Sequence, residues 1–361
     1  MKKSTMQGMA LVVSSVLVTL LGLELSLRVY HGIASPSELP TPPAVKPVAR
    51  LQYDSTLGWL PKIGQSGTGW IANVDTGGLR SNGPSMVAEG KPVLVIGDSF
   101  TFGDEVADHE TWAAQLERVL QKRVLNGGVS AYGIDQAVLR SERLLDRHQP
   151  EVVILSFVSN DVDRTEFSYV PWGHGWKPYF DLVNDSLRLR NVPVPQTRIP
   201  GRYPALRRAV NHSHFAAFVL SRTAPRWWRN LPPVKRVHTD GDKVSVALLA
   251  RMDSLAKSRG AQFIAVAFAV GGIDDNGRLA SVTGRARERG ILVLDLSAET
   301  LKLRPDTLKR LFRPGGHYTP AKNVWVAERI SAFLRENNMV ALPVRRGAGR
   351  RAASASDAAL E

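Results

Sequence analysis

The 361-residue chain contains no cysteine. Disulfides, thiolate metal sites and cysteine nucleophiles are therefore excluded, while the compartment is left open. The net charge of +14 invites a nucleic-acid reading. Yet the chain has no zinc-finger spacing, no basic zipper and no RNA-binding aromatic motif. Acidic residues are missing from Gly201 to Thr239, a stretch that holds Arg202, Arg207, Arg208, Arg222, Arg226, Arg229, Lys235 and Arg236. The C-terminal segment adds Arg345, Arg346, Arg350 and Arg351. A surface facing anionic lipid or an acidic glycan accounts for this basicity as well as nucleic acid does. His212 and His214 lie two apart with no acid near them in sequence, so no metal site is expected. No internal repeat is present. With 43% hydrophobic and 22% charged residues, the composition is that of a globular protein.

Charge is also absent from Ser4 to Leu23, directly after Lys2 and Lys3. A stretch of this length spans a hydrocarbon core of roughly 30 Å. The two lysines favour a cytoplasmic N-terminus, with the rest of the chain outside the cytoplasm. Glu24 and Arg28 would then sit near the outer interface, where Arg28 can snorkel. The expectation is an uncleaved single-pass anchor over residues 1–33. The rival is a cleaved signal peptide using Gly32-Ile33-Ala34. Residues 34–50 are rich in proline and serine and read as an extended tether. Residues 51–90 are glycine-rich and short on periodicity, as in an irregular lead-in at a domain edge.

From Pro92 the pattern changes. Short apolar runs ("PVLVIGD", "VLNGGV", "EVVILSFVSND", "AQFIAVAFAV", "ILVLDLS") alternate with helical spacing over 109–123, 134–147, 242–258, 275–288 and 320–335. Such alternation predicts a parallel sheet covered by helices on both faces. Residues 164–241 interrupt it and read as an insertion over the site, because so long a stretch is no simple loop. Its Trp172, Trp176, Tyr179, Trp227 and Trp228 either hold a polysaccharide or form the insertion's own core. Residues 341–361 are low-complexity and read as a disordered basic tail.

Four features fall at the carboxyl ends of the predicted strands, where open parallel sheets bind ligands. Gly97-Asp98-Ser99 follows the first strand, so Ser99 is either a presented nucleophile or, with Asp98, a helix cap. "NGGVSAYG" follows the second and can aim a backbone N–H into a site. Asn160 ends the third and offers an amide to a developing oxyanion, or simply makes a turn. His317 lies in "RPGGHYTPAKN" before the last helix, where Thr319-Pro320 starts a helix well. Together they supply the parts acyl transfer needs: a nucleophile, a base and fixed donors for a tetrahedral intermediate.

At these residues the chain resembles the SGNH (GDSL-type) hydrolases, over roughly residues 90–340. Block one is matched by Gly97-Asp98-Ser99, with Phe100 in place of the usual leucine. The glycine of block two falls on Ala131, unless the loop is shifted and Gly133 takes its part. Block three is matched by Asn160-Asp161, with Val158 where the family has glycine. Block five is matched by His317 alone. The N-terminal span and the lead-in "YDSTLGW" and "GGLRSNG" resemble the membrane-anchored bacterial branch, often linked to cell-envelope polysaccharides.

The resemblance implies a three-layer α/β/α sandwich, with a mostly parallel, flavodoxin-like sheet of about five strands beside the transmembrane helix. It implies a hydrolase domain over 51–340, anchored in the inner membrane and facing the periplasm. The implied activity is a serine esterase acting on O-acyl, chiefly O-acetyl, esters of a carbohydrate. Ser99 and His317 would be catalytic; the Ser99 N–H, Ala131 and Asn160 would hold the oxyanion. No cofactor, metal or nucleic acid is implied. The same acyl-enzyme would also serve an O-acyltransferase, and a glycan-binding relative without turnover is a third reading. The family's aspartate, three residues before the histidine, falls on Pro314, and the alternative two before is Gly315. A Ser-His dyad is therefore expected, or an atypical triad drawing on Asp295 or Asp306.

Overall fold

A computed structural model describes residues 3–30, 50–66, 71–84, 90–170, 175–196, 203, 205–206, 210, 212–228, 235–271 and 277–340. The tether apart from Arg50, the basic tail, Gly32-Ile33-Ala34 and Trp172 lie outside these residues. The chain divides into two compact units, Met1–Pro47 with Arg198–Pro233, and Val48–Thr197 with Val234–Glu361.

The larger unit is built on five strands: β1 (Val93–Ile96), β2 (Val124–Asn126), β3 (Val152–Phe157), β4 (Gln262–Ala267) and β5 (Val293–Asp295). Their order is β5-β4-β3-β1-β2 and every pairing is parallel. Branched and aromatic apolar residues suit such strands because both faces are covered. The pleat sends alternate side chains to opposite faces. On β1, Leu94 and Ile96 join one core and Val93 and Val95 the other. The first core is closed by α4 (Ile134–His148), α7 (Gly241–Ser258) and α8 (Arg278–Glu288). The second is closed by α3 (Trp112–Leu120) and α9 (Pro320–Glu336). The expected three-layer sandwich is thus present, with the flavodoxin-like strand order.

The stretch before β1 is more regular than its composition suggests. Leu51–Asp54 pairs with Gly58–Pro61, and Gly64–Ser66 with Ala72–Val74, both antiparallel. The first hairpin turns on Ser55-Thr56-Leu57, where Asp54 Oδ1 accepts from the N–H groups of Thr56 (2.8 Å) and Leu57 (2.7 Å). The interruption after β3 also holds short strands, with Phe167–Val170 pairing both Gly175–Trp176 and Lys235–Arg236. Tyr179–Val183 pairs with Ser186–Arg190. Lys177 is fully buried there; its ammonium is ion-paired with Asp135 and donates to the carbonyls of Arg164 (3.1 Å) and Phe167 (3.2 Å).

The smaller unit contains α1 (Lys3–Tyr30) and α6 (His214–Thr223). Within α1, Gln7–Tyr30 is long and apolar enough to cross a membrane or to act as a signal sequence. Arg28 Nε donates to Glu24 at 2.8 Å.

Candidate active site

The chain leaves β1 through Gly97. A Cβ here would lie 2.4 Å from Thr101 Oγ1 and 2.6 Å from the Ser156 carbonyl, so only glycine allows this approach. Asp98 then caps the short helix α2 (Ser99–Phe102), its Oδ1 accepting from the Phe100 N–H at 2.9 Å. Ser99 opens the helix. Asp98 is therefore the cap, and Ser99 is the first residue of the helix it caps.

Ser99 Oγ lies 2.9 Å from His317 Nε2. The histidine sits on a turn closed by the Arg313 N–H to the His317 carbonyl (2.7 Å) and by a bridge between Phe312 and Tyr318. Phe100 packs its ring 5.2 Å from the imidazole and 4.8 Å from the ring of Tyr318. The residue that departs from the family's leucine thus walls the imidazole.

The partner of the second imidazole nitrogen is Glu105. Its Oε1 lies 3.2 Å from His317 Nδ1. With Nδ1 protonated, that carboxylate accepts from the ring and Nε2 is free to accept from the Ser99 hydroxyl. Neither acid expected from the sequence stands here. Asp295 instead caps the helix Leu296–Leu301, accepting from the N–H groups of Ser297 and Ala298 at 3.1 Å each. Asp306 is exposed in the first turn of the helix Pro305–Leu311.

Glu105 also explains Gly315. A Cβ at that position would lie 2.1 Å from Glu105 Oε1. One side of the imidazole is therefore filled by a carboxylate arriving from the loop that follows Ser99, and the histidine's loop leaves it room.

That loop is held from outside. Glu105 adopts a left-handed backbone, φ 70°. Arg80, from the lead-in "GGLRSNG", is buried, and its guanidinium donates to the carbonyls of Phe102 (2.7 Å), Gly103 (2.5 Å) and Val106 (2.7 Å) and to Asp108 (3.1 Å). Burial pulls the Arg80 guanidinium down and the Asp108 charge offsets part of that. Neighbouring Asp104 is buried, accepts from Ser130 Oγ at 2.9 Å and pairs with Arg50 at 2.5 Å. Burial raises its carboxyl; Arg50 and His317 act against that.

The three oxyanion donors expected from the sequence are presented by successive strand ends. Ala131 has φ 66°, the left-handed conformation that favours glycine. The position matched to the block-two glycine thus has a backbone that favours glycine. The alternative, Gly133, has φ −94°, and its N–H donates to Gln136 Oε1 at 3.4 Å, at the start of α4. Asn160 lies in α5 (Ser159–Thr165), which starts directly after β3. Among the described residues, neither the N–H groups of Ser99 and Ala131 nor the Asn160 amide donates a hydrogen bond.

One buried cation ties these loops together. Arg164 Nη1 donates to Asp98 Oδ2 (3.2 Å), to the Tyr132 carbonyl (2.9 Å) and to Asp161. It thus joins the neighbours of Ser99, Ala131 and Asn160. Burial and then the adjacent Asp98 carboxylate push the Asp161 carboxyl well up, against the pull of Arg164.

Sequence comparison agrees with this geometry. Residues 95–324 match the GDSL-like lipase/acylhydrolase family. An arylesterase of Vibrio mimicus is 28% identical over 116 residues, 31% of this chain and 56% of that protein. The chain thus spans about half the length of the curated relative it matches. Among solved structures, a G-D-S-L lipolytic protein of Desulfitobacterium hafniense DCB-2 aligns with 67% of this chain and 99% of its own, at 17% identity and TM-score 0.41. The psychrotrophic esterase EstA of a Pseudoalteromonas species covers 69% and 99%, at 10% identity and TM-score 0.39. With the family matched across most of the chain, from the end of β1 to the start of α9, this protein belongs to the GDSL-like lipase/acylhydrolase family.

Proposed function

We propose that the protein is a serine esterase in which Ser99 is the nucleophile, His317 the general base and Glu105 the acid that orients the base. The 2.9 Å contact between Ser99 Oγ and His317 Nε2 carries the reading. In the first half-reaction Ser99 Oγ attacks the ester carbonyl carbon while its proton passes to His317 Nε2. The imidazolium is stabilised by Glu105 across Nδ1. The carbonyl oxygen becomes an oxyanion held by the Ser99 and Ala131 N–H groups and the Asn160 amide. Collapse of the intermediate expels the alkoxide, which takes the proton from His317. Water, deprotonated by the same nitrogen, then attacks the acyl-serine and the acid leaves.

The ester is an O-acetyl group on an acidic cell-envelope carbohydrate. The net charge of +14 and the membrane-length helix α1 support that assignment. The test is acetate release by the detergent-purified full chain from O-acetylated acidic polysaccharide, beside p-nitrophenyl esters of increasing chain length. Ser99→Ala should abolish release. A preference for long acyl chains would overturn the acetyl assignment, and acetyl appearing on a sugar hydroxyl instead of as free acetate would make the protein a transferase.

A further inference from the structure

The smaller unit carries an apolar helix that packs on α1 yet is not enclosed by protein. None of the ten residues of α6 is buried, although six consecutive positions, Phe215 to Leu220, are apolar. Its start is fixed to α1. The Glu24 carboxylate accepts from Ser213 Oγ and from the N–H groups of His214 and Phe215, each at 2.9 Å. Glu24 is also the first charged residue after Lys3. A charge is costly in hydrocarbon, so in a membrane-crossing α1 this residue marks the end of the apolar span. The first turn of α6 therefore lies at the depth of the headgroups.

The chemistry of the segment fits that depth. Phe218 is 40% exposed, and the Arg222 guanidinium sits 3.7 Å from its ring centroid. Tyr203 and Leu206, in the same unit, are 67% and 55% exposed. Aromatic and aliphatic side chains beside arginine are what a helix needs to lie in a lipid interface, with the arginine reaching the phosphates. Between Gly201 and Pro233 the sequence holds six arginines and no acid. Anionic headgroups attract such a segment, by about 1 kcal/mol per basic residue close to the surface.

We propose that α6 lies in the headgroup layer of the membrane that α1 crosses, its apolar side chains in lipid and its basic residues on anionic phospholipid. The proposal rests on α1 being a membrane anchor, and the experiment separates the two. The absence of cysteine permits single nitroxide labels in the full chain, at Val12→Cys within α1, Phe218→Cys in α6 and Leu189→Cys on an exposed strand. In vesicles of phosphatidylcholine and phosphatidylglycerol, collisions with oxygen and with a water-soluble nickel chelate are measured by electron paramagnetic resonance.

The expected result is a high oxygen-to-nickel ratio at position 12, a ratio at position 218 several-fold above that at 189, and a fall at 218 when phosphatidylglycerol is left out. A lipid-like position 12 with a water-like position 218 would overturn the docking of α6 while leaving the anchor. Low collision rates with both reagents at 218 would mean cover by protein and would also overturn it. A water-like position 12 would remove the anchor and the proposal together.

Discussion

Replacing Glu105 by glutamine keeps the size of the side chain and removes its charge. When His317 becomes cationic in the transition state, the lost interaction is that between an imidazolium and a carboxylate with Nδ1 and Oε1 3.2 Å apart. Charges about 4 Å apart at an effective dielectric of about 20–40 attract by about 2–4 kcal/mol. The higher dielectric is the better guide, because the Glu105 side chain is 33% exposed. At about 1.4 kcal/mol per decade this corresponds to roughly 30–1000-fold in kcat. KM should move little, since the charge develops only in the transition state. Steady-state hydrolysis of p-nitrophenyl acetate measures both constants. The site's shape adds a stricter test. Gly315→Asp alone should also lower kcat, because its Cβ would displace Glu105 Oε1 from 2.1 Å. Placed on Glu105→Ala, the same change supplies a carboxylate from the position other family members use and should recover part of the activity. The backbone at Gly315 is outside the left-handed region, so an L residue fits it. A kcat within threefold of wild type in Glu105→Gln, or simple additivity of Glu105→Ala and Gly315→Asp, would refute the reasoning.

Other outcomes follow from the same geometry. Ala131 is strained at φ 66°, so Ala131→Gly should leave stability unchanged or raise it by up to about 1 kcal/mol; a lower melting temperature would contradict this. Arg164→Met strands Asp98 and Asp161 in a buried site and should cost about 3–5 kcal/mol by urea unfolding, whereas a loss under about 1 kcal/mol would deny the clamp. Lys322 is buried, which pulls its ammonium down to about 7; its Nζ donates to Thr300 Oγ1 at 2.7 Å. In the unfolded chain a lysine titrates near 10.4, so between these values the unfolded state binds a proton that the folded state does not. Stability should therefore rise with pH across that window, by up to about 1.4 kcal/mol per unit, and Lys322→Met should flatten the slope of melting temperature against pH.

Much of this was legible from residue order alone. Alternating apolar runs and helical spacing carry the sheet and its cover, because both follow from local periodicity. The meeting of Ser99 and His317 was findable because strand ends in a parallel sheet converge on one edge. Glu105 was not. It is six residues past the nucleophile in a loop whose left-handed turn has no clear sequence signature, and the expected place for an acid was near His317. The empty position at Gly315 was the available signal: a glycine where an acid belongs indicates that something else fills the space. Arg80 and Arg164 were missed for a related reason. Their roles depend on burial and on carbonyls distant in sequence, and a charged residue in a basic chain gives no sign that it is buried. The short hairpins before β1 were hidden because strands of three or four residues are too short to show a period.

The central claim is that Ser99 is activated by His317. The most direct test is the rate at which a fluorophosphonate probe modifies the full chain, with the adduct located by peptide mass spectrometry. The account predicts one adduct, on Ser99, absent in Ser99→Ala and formed at least about a hundredfold more slowly in His317→Ala. A folded protein that takes no label, or one whose labelling rate is unchanged by His317→Ala, would contradict it.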